Sequence, residues 1–179
     1  MNVSRQPVIV GVKHMSAYES LLPAHLPSLR RYARALTGNS TLADDLVQDT
    51  LERAYVKFHL WQHGSDLRKW LFAIMHNVFI NQIKKPGLTL VSMDDMPDSP
   101  VHDVDPILGV DMDRALRALP HDHREVLLLI VLEGLSYDDV SELLGIPMGT
   151  VMSRLSRARE RLGKLMAVDA PASTCTQGG

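Results

Sequence analysis

Leu135-Ser136-Tyr137-Asp138-Asp139-Val140-Ser141-Glu142-Leu143-Leu144-Gly145-Ile146-Pro147-Met148-Gly149-Thr150-Val151 is the stretch whose reading decides the fold. Ser136 is an N-cap for a short helix, with acid in the first turn where the helix dipole favours it. Val140, Leu143 and Leu144 supply an inner face. Ser141 is small where two helices must approach closely. Gly145 offers the positive φ of a tight turn, and Ile146 packs inward as the chain turns. A second helix follows, completing the logic of a helix-turn-helix.

On a helical wheel, Val151, Leu155, Ala158, Leu162 and Leu165 form one apolar stripe of that second helix, and Gly149, Met152, Ser153 and Ser156 lie opposite. Arg154, Arg157, Arg161 and Lys164 run along one flank and Arg159 along the other. Between Pro147 and Leu165 stand five basic residues against one acid, Glu160. Cations of this kind meet phosphates, and short side chains near the helix start let it approach base edges. A solvated amphipathic helix could carry the same arginines; the turn motif before it favours DNA.

Working outward, the 179-residue chain is 45% apolar and 22% charged, an ordinary globular composition. Aromatics are only 5%, and Leu, Ala, Val and Met dominate, which favours helix packing over sheets. The formal charge of -2 argues against DNA binding by the whole chain as one basic unit, so charge has to be read locally. The expected fold is all-α: two small helical domains joined by a flexible acidic linker, the second bearing the helix-turn-helix. Residues 1–15 read as a loose leader. Leu22, Leu26, Leu29, Ala33 and Leu36 begin a helical period that Gly38-Asn39-Ser40 breaks. Thr41 is the expected N-cap of a second helix, with Asp44 in its first turn, running to about Phe58. A polar loop, Trp61 to Ser65, leads to a third helix capped by Ser65 or Asp66 and stopped by Pro86-Gly87. The first domain is thus expected over 16–85. Residues 86–106 hold four prolines, five aspartates (Asp94, Asp95, Asp98, Asp103, Asp105) and no Lys or Arg, a linker composition. Helices are expected at 107–118, 121–133, 136–144 and 148–166, within a second domain over 107–167. Residues 168–179 read as a disordered tail.

The second helix of the first domain has one polar stripe, Asp45, Gln48, Asp49 and Glu52, while Ala43, Leu46, Val47, Thr50 and Ala54 face elsewhere. An acidic stripe suits a basic partner surface. In the third helix Leu67, Leu71, Ile74 and Val78 make the core stripe, with Trp70, Asn77, Asn81 and Lys84 along an adjacent edge.

Leu119-Pro120, Arg124-Glu125-Val126, Gly134-Leu135-Ser136 and Gly149-Thr150-Val151-Met152-Ser153-Arg154-Leu155-Ser156-Arg157-Ala158-Arg159 resemble the promoter-reading C-terminal domain of extracytoplasmic-function (ECF, group IV) sigma factors of the sigma-70 family. Met152 stands where that family often has Lys. Ala43 to Leu51 is similar to the family's core-polymerase-binding helix, and Trp70 to Asn77 to the helix under the upstream edge of the transcription bubble; Asn81 and Lys84 depart from the family's usual Asp and Arg. The resemblance spans about residues 18–167. It implies a sigma region 2-like domain that binds core polymerase through Asp45, Gln48, Asp49 and Glu52. It also implies minus-10 contacts from the loop Trp61 to Lys69, including Trp61, His63 and Ser65, and from Asn77, Asn81 and Lys84. A region 4-like domain would read minus-35 DNA with Gly149, Thr150, Met152, Ser153, Arg154, Ser156, Arg157 and Arg161. The implied partners are RNA polymerase core, promoter DNA and an anti-sigma factor, free or membrane-anchored, that holds the protein inactive until a stress signal arrives.

Other classes fare less well. The single cysteine, Cys175, permits no intrachain disulfide and no Cys-rich zinc site. His121-Asp122-His123 reads as a solvated helix start rather than a metal site. The adjacent pairs Asp44-Asp45, Asp94-Asp95 and Asp138-Asp139 diverge on a helix and make poor metal carboxylates. No cofactor, no metal and no enzymatic activity are therefore expected. The longest apolar run, Val126 to Leu132, is too short to span a bilayer, which with the lack of a signal sequence predicts a cytoplasmic protein. A sigma-like decoy that titrates an anti-sigma factor would not need the Arg154, Arg157 and Arg159 series. A dimeric repressor would leave the first domain unexplained.

Overall fold

A computed structural model describes residues 20–62, 64–84 and 106–168. After a 3-10 turn at Leu22–Ala24, seven α-helices follow: α1 Leu26–Thr37, α2 Ser40–Lys57, α3 Leu67–Ile83, α4 Pro106–Arg117, α5 His121–Leu127, α6 Tyr137–Leu144 and α7 Met148–Val168. A second 3-10 turn, Phe58–Leu60, ends α2, and α5 runs on into one π-helical turn, Leu128–Leu132. The leader, the acidic linker, most of the tail and His63 lie outside the described residues.

Local chemistry sets the boundaries. Gly38 ends α1 in the left-handed region (φ 67°). The cap of α2 is Asn39, not Thr41: its extended backbone aims the side-chain oxygen at the Leu42 N–H, 3.0 Å away, and Thr41 is already inside the helix. Asp66 caps α3 by accepting from the N–H groups of Arg68 and Lys69. Ser136 and Asp139 form a reciprocal capping box on α6, and Gly145 (φ 63°) supplies the turn into α7. The π turn had no sequence signal. The Glu133 N–H reaches back five residues to the Leu128 carbonyl at 3.0 Å, and Gly134 closes the segment with φ 67°.

Each expected stripe packs inward. Leu29, Tyr32, Ala33 and Leu36 of α1 meet Leu46, Val47 and Ala54 of α2 and Leu71, Met75 and Val78 of α3. Tyr32 sits edge-on to Phe72 at 5.1 Å. In the second unit Val126, Leu129, Val140, Val151, Leu155 and Ala158 are buried, each such side chain worth about 1.5–3 kcal/mol of transfer free energy for the larger apolar residues.

The two units do not stand apart; their cores merge into one apolar cluster. Polar ties flank it. Arg124 of α5 donates to the Leu36 carbonyl at the end of α1 (2.7 Å) and to the Arg117 and Leu119 carbonyls at the end of α4. One guanidinium thereby serves orphan carbonyls at two helix ends, one from each unit. Desolvation holds its pKa below the usual guanidinium value, with the Arg117 charge adding to the effect. His76 of α3 lies 2.7 Å from Glu125, and Arg31 of α1 and Arg68 of α3 both bond the Glu133 carboxylate.

Candidate nucleic-acid interface

The second helix of the helix-turn-helix, α7, is held by its own apolar stripe on α5 and α6, so its outer face is fixed in direction. Gly149, Met152, Ser153, Ser156, Arg157 and Arg161 are exposed, and Thr150 is half-buried. The Ser153 hydroxyl donates to the Thr150 carbonyl at 3.0 Å, which leaves its oxygen free to accept from outside. Met152 is an exposed large apolar side chain among small polar ones. Arg154, expected among the minus-35 contacts, is half-buried. It sits on the flank of α7, and its Nε lies 3.4 Å from the Asp122 carboxylate in the first turn of α5. It therefore ties α7 to the helix behind it. The same contact gives Asp122 a partner other than a metal; among the described residues no three His, Cys, Asp or Glu converge on a metal position.

On α2 the polar stripe is where the wheel places it. Asp45, Gln48 and Glu52 are exposed, and Gln48 donates to Glu52 at 3.1 Å. Asp49 is half-buried and accepts from Gln82 of α3 at 3.0 Å, so it also fastens two helices. Beside the stripe lies a shallow apolar groove lined by Leu22, Leu51, Tyr55 and Val56.

The minus-10 set is scattered. Ser65, Asn77, Asn81 and Lys84 are exposed; Asn77 donates to the Ala73 carbonyl of its own helix. Trp61 corrects the expectation of a base-stacking surface. The residue is only 9% exposed and its ring stacks on Phe58 at 5.4 Å, pinning the loop to the core through the large apolar area an indole buries. Trp70 also packs against the core, edge-on to Phe58. Arg68 and Lys69 close the Trp61–Lys69 stretch that the resemblance places at the minus-10 element, but sequence reasoning gives neither a role of its own. Lys69 bonds Asp139 of α6 at 2.5 Å, a pairing across 70 residues that no local pattern signals.

A scan of family models matches residues 22–76 to the Sigma2 domain of PhyR and residues 110–162 to Sigma-70, region 4. The chain is 38% identical over 154 residues to the ECF RNA polymerase sigma factor EcfG of Rhodopseudomonas palustris, covering 82% of this chain and 83% of that one. It belongs to the ECF RNA polymerase sigma factors. Among solved structures, this sigma factor is similar to RpoE of Bartonella quintana, seen in complex with the anti-sigma factor NepR: TM-score 0.74, 37% identity, 86% of this chain and 98% of that one. It also shares a fold with the anti-anti-sigma factor PhyR of Bartonella quintana, complexed there with NepR, at TM-score 0.53 and 20% identity, covering 79% of this chain and 47% of that one. No helix among the described residues of this sigma factor is long and apolar enough to cross a membrane.

Proposed function

We propose that this sigma factor is of group IV and works in the cytoplasm without chemistry of its own, delivering core RNA polymerase to promoters. Core binds through the Asp45, Gln48 and Glu52 face of α2, with Asp49 at its edge. Helix α7 reads minus-35 duplex with Gly149, Thr150, Met152, Ser153, Ser156, Arg157 and Arg161. Ser65, Asn77, Asn81 and Lys84 meet the minus-10 element. The observation that carries the reading is the outer face of α7: small side chains at its start, then cations, on a helix whose inner face is locked in the core. Two weak DNA contacts joined through one polymerase reinforce each other by effective concentration. A NepR-like anti-sigma factor restrains the protein, since the RpoE relative is seen bound to one. Run-off transcription with core polymerase on a genomic promoter pool, followed by sequencing of start sites, tests this; no sigma-dependent start would refute it.

A second reading has one observation in its favour: the first domain matches the Sigma2 domain of PhyR, and PhyR is described as an anti-anti-sigma factor. On that reading the chain titrates an anti-sigma factor and leaves DNA alone. The exposed Arg157, Arg159 and Arg161 favour the promoter-reading role, and the same transcription assay separates the two.

A further inference from the structure

Where the two units touch, cations of the first meet acids of the second. Arg68 and Lys69 occupy the first turn of α3, directly after the loop that ends at Asp66. Arg68 donates from Nη2 to the Glu133 carboxylate and, at 2.7 Å, to the Glu133 carbonyl. The Lys69 ammonium donates to Asp139 at 2.5 Å. Both donors keep 32% of their side chains exposed, whereas the Glu133 side chain is fully buried. The cations can therefore change partners without disturbing the core of their own unit.

A carboxylate and a phosphodiester present the same anionic oxygen acceptors. A forked guanidinium beside a compact ammonium suits either. We infer that Arg68 and Lys69 form a phosphate-binding pair for the melted strand at the minus-10 element, and that Glu133 and Asp139 fill those donors in place of phosphates while the units are docked. This rests on the sigma-factor reading of the adjacent loop and of α3. It gives the last two residues of the Trp61–Lys69 stretch a specific chemistry and makes docking and strand capture mutually exclusive. The hydrogen bond between them raises the Lys69 pKa and lowers that of Asp139, so both are charged across the neutral range.

The pair of substitutions Lys69→Ala and Asp139→Asn tests this through the sign of their effects. Each breaks the same bridge, so if that bridge is only a structural tie both variants move together. Strand mimicry demands opposite directions. Binding of a fluorescent single strand carrying the minus-10 segment of a promoter recovered by run-off transcription is followed by anisotropy across a salt series. The full-length chain is measured alone and with core polymerase. For Asp139→Asn the free chain binds the strand severalfold more tightly, because Lys69 is released; Asn keeps the capping acceptor, and circular dichroism checks the fold. For Lys69→Ala the holoenzyme binds more weakly, and the slope of log affinity against log salt falls by about 0.7, one phosphate contact on single-stranded DNA. Same-direction shifts, or an unchanged slope in Lys69→Ala beside a wild-type holoenzyme that holds the strand, overturn the pair and leave the sigma reading standing. A wild-type holoenzyme that does not prefer this strand to a scrambled one overturns both.

Discussion

Replacing Glu133 with Gln should loosen the docking of the two units. The Glu133 side chain is fully buried and accepts from Arg31 at 3.0 Å and from Arg68, both of the other unit. Gln keeps the shape and one acceptor but removes the charge. Stripping one member from a buried ion pair costs about 3–5 kcal/mol when its partner stays buried. Here the partners are 56% and 32% exposed and can be rehydrated, which reduces the cost to about 2–3 kcal/mol, the scale of hydrogen bonds to a charged group. That corresponds to a shift of roughly 30- to 150-fold in the docked-to-undocked equilibrium. The assay is a pulsed electron spin resonance distance measurement between nitroxides on exposed Gln48→Cys and Arg159→Cys, in a Cys175→Ser background that removes the one native cysteine. The parent should give one narrow distance and Glu133→Gln a broad, longer distribution, with a lowered Tm. An unchanged distribution and an unchanged Tm would show that the charge on Glu133 does not hold the units together.

Other outcomes follow from the same geometry. Asp45→Lys with Glu52→Lys should abolish co-purification with core polymerase while circular dichroism stays native, since both side chains are exposed and neither fastens a second helix. Arg157→Ala should weaken minus-35 binding by about 1–3 kcal/mol if it reads a base, measured by footprinting, whereas Arg154→Ala should also lower Tm by freeing α7 from Asp122. Gly38→Ala should destabilise by more than the roughly 1 kcal/mol of a left-handed residue, because the new Cβ would lie 2.8 Å from the Arg117 side chain across the unit boundary; thermal melts check it. The Lys69–Asp139 contribution should be flat through neutral pH. Asp139, lowered from 3.8, loses its part only as pH falls through that lowered value; Lys69, raised from 10.5, loses its part only as pH rises through the raised one. Interdomain distances measured against pH in Asp139→Asn should lose the share of the acid limb that Asp139 gives the parent.

What could be read from the sequence was what repeats along a helix. The Asp45 stripe, the inner face of α7 and the Gly145 turn each follow from spacing within one element, and the structure places them as expected. Choosing between neighbouring caps was harder. Asn39 and Thr41 are both good N-caps, and only the extended backbone at Asn39 decides. The contacts between units were not legible at all. Asp139 looked like first-turn acid and Glu133 like a polar helix end, because their partners lie 65 to 102 residues away, and nothing in a local pattern marks a pairing across that interval. Trp61 went astray for a related reason: polar neighbours made its loop look exposed, while Phe58, three residues back, takes the ring into the core.

The docked arrangement bears on how such a protein could use two DNA surfaces. Elements named for positions minus 35 and minus 10 lie roughly 25 base pairs apart, about 85 Å along B-form duplex. A compact body of this length has a radius of gyration of about 15 Å and spans about 40 Å, so the docked pair cannot reach both elements. The 21 residues between Lys84 and Pro106 have a contour length of about 70–75 Å, enough to separate the units without unfolding either. The boundary suits such a separation. Its ion pairs involve partly exposed cations that water, polymerase or DNA can satisfy, and the Asn39, Asp66 and Ser136 caps each lie within their own unit. Glu133, fully buried when the units are docked, would gain hydration as it loses its arginines. Sites of this kind set the docking equilibrium toward the docked state while leaving it reversible. Anything that binds one unit's share of the boundary, whether polymerase, DNA or an anti-sigma factor, then shifts it by its difference in affinity for the two states.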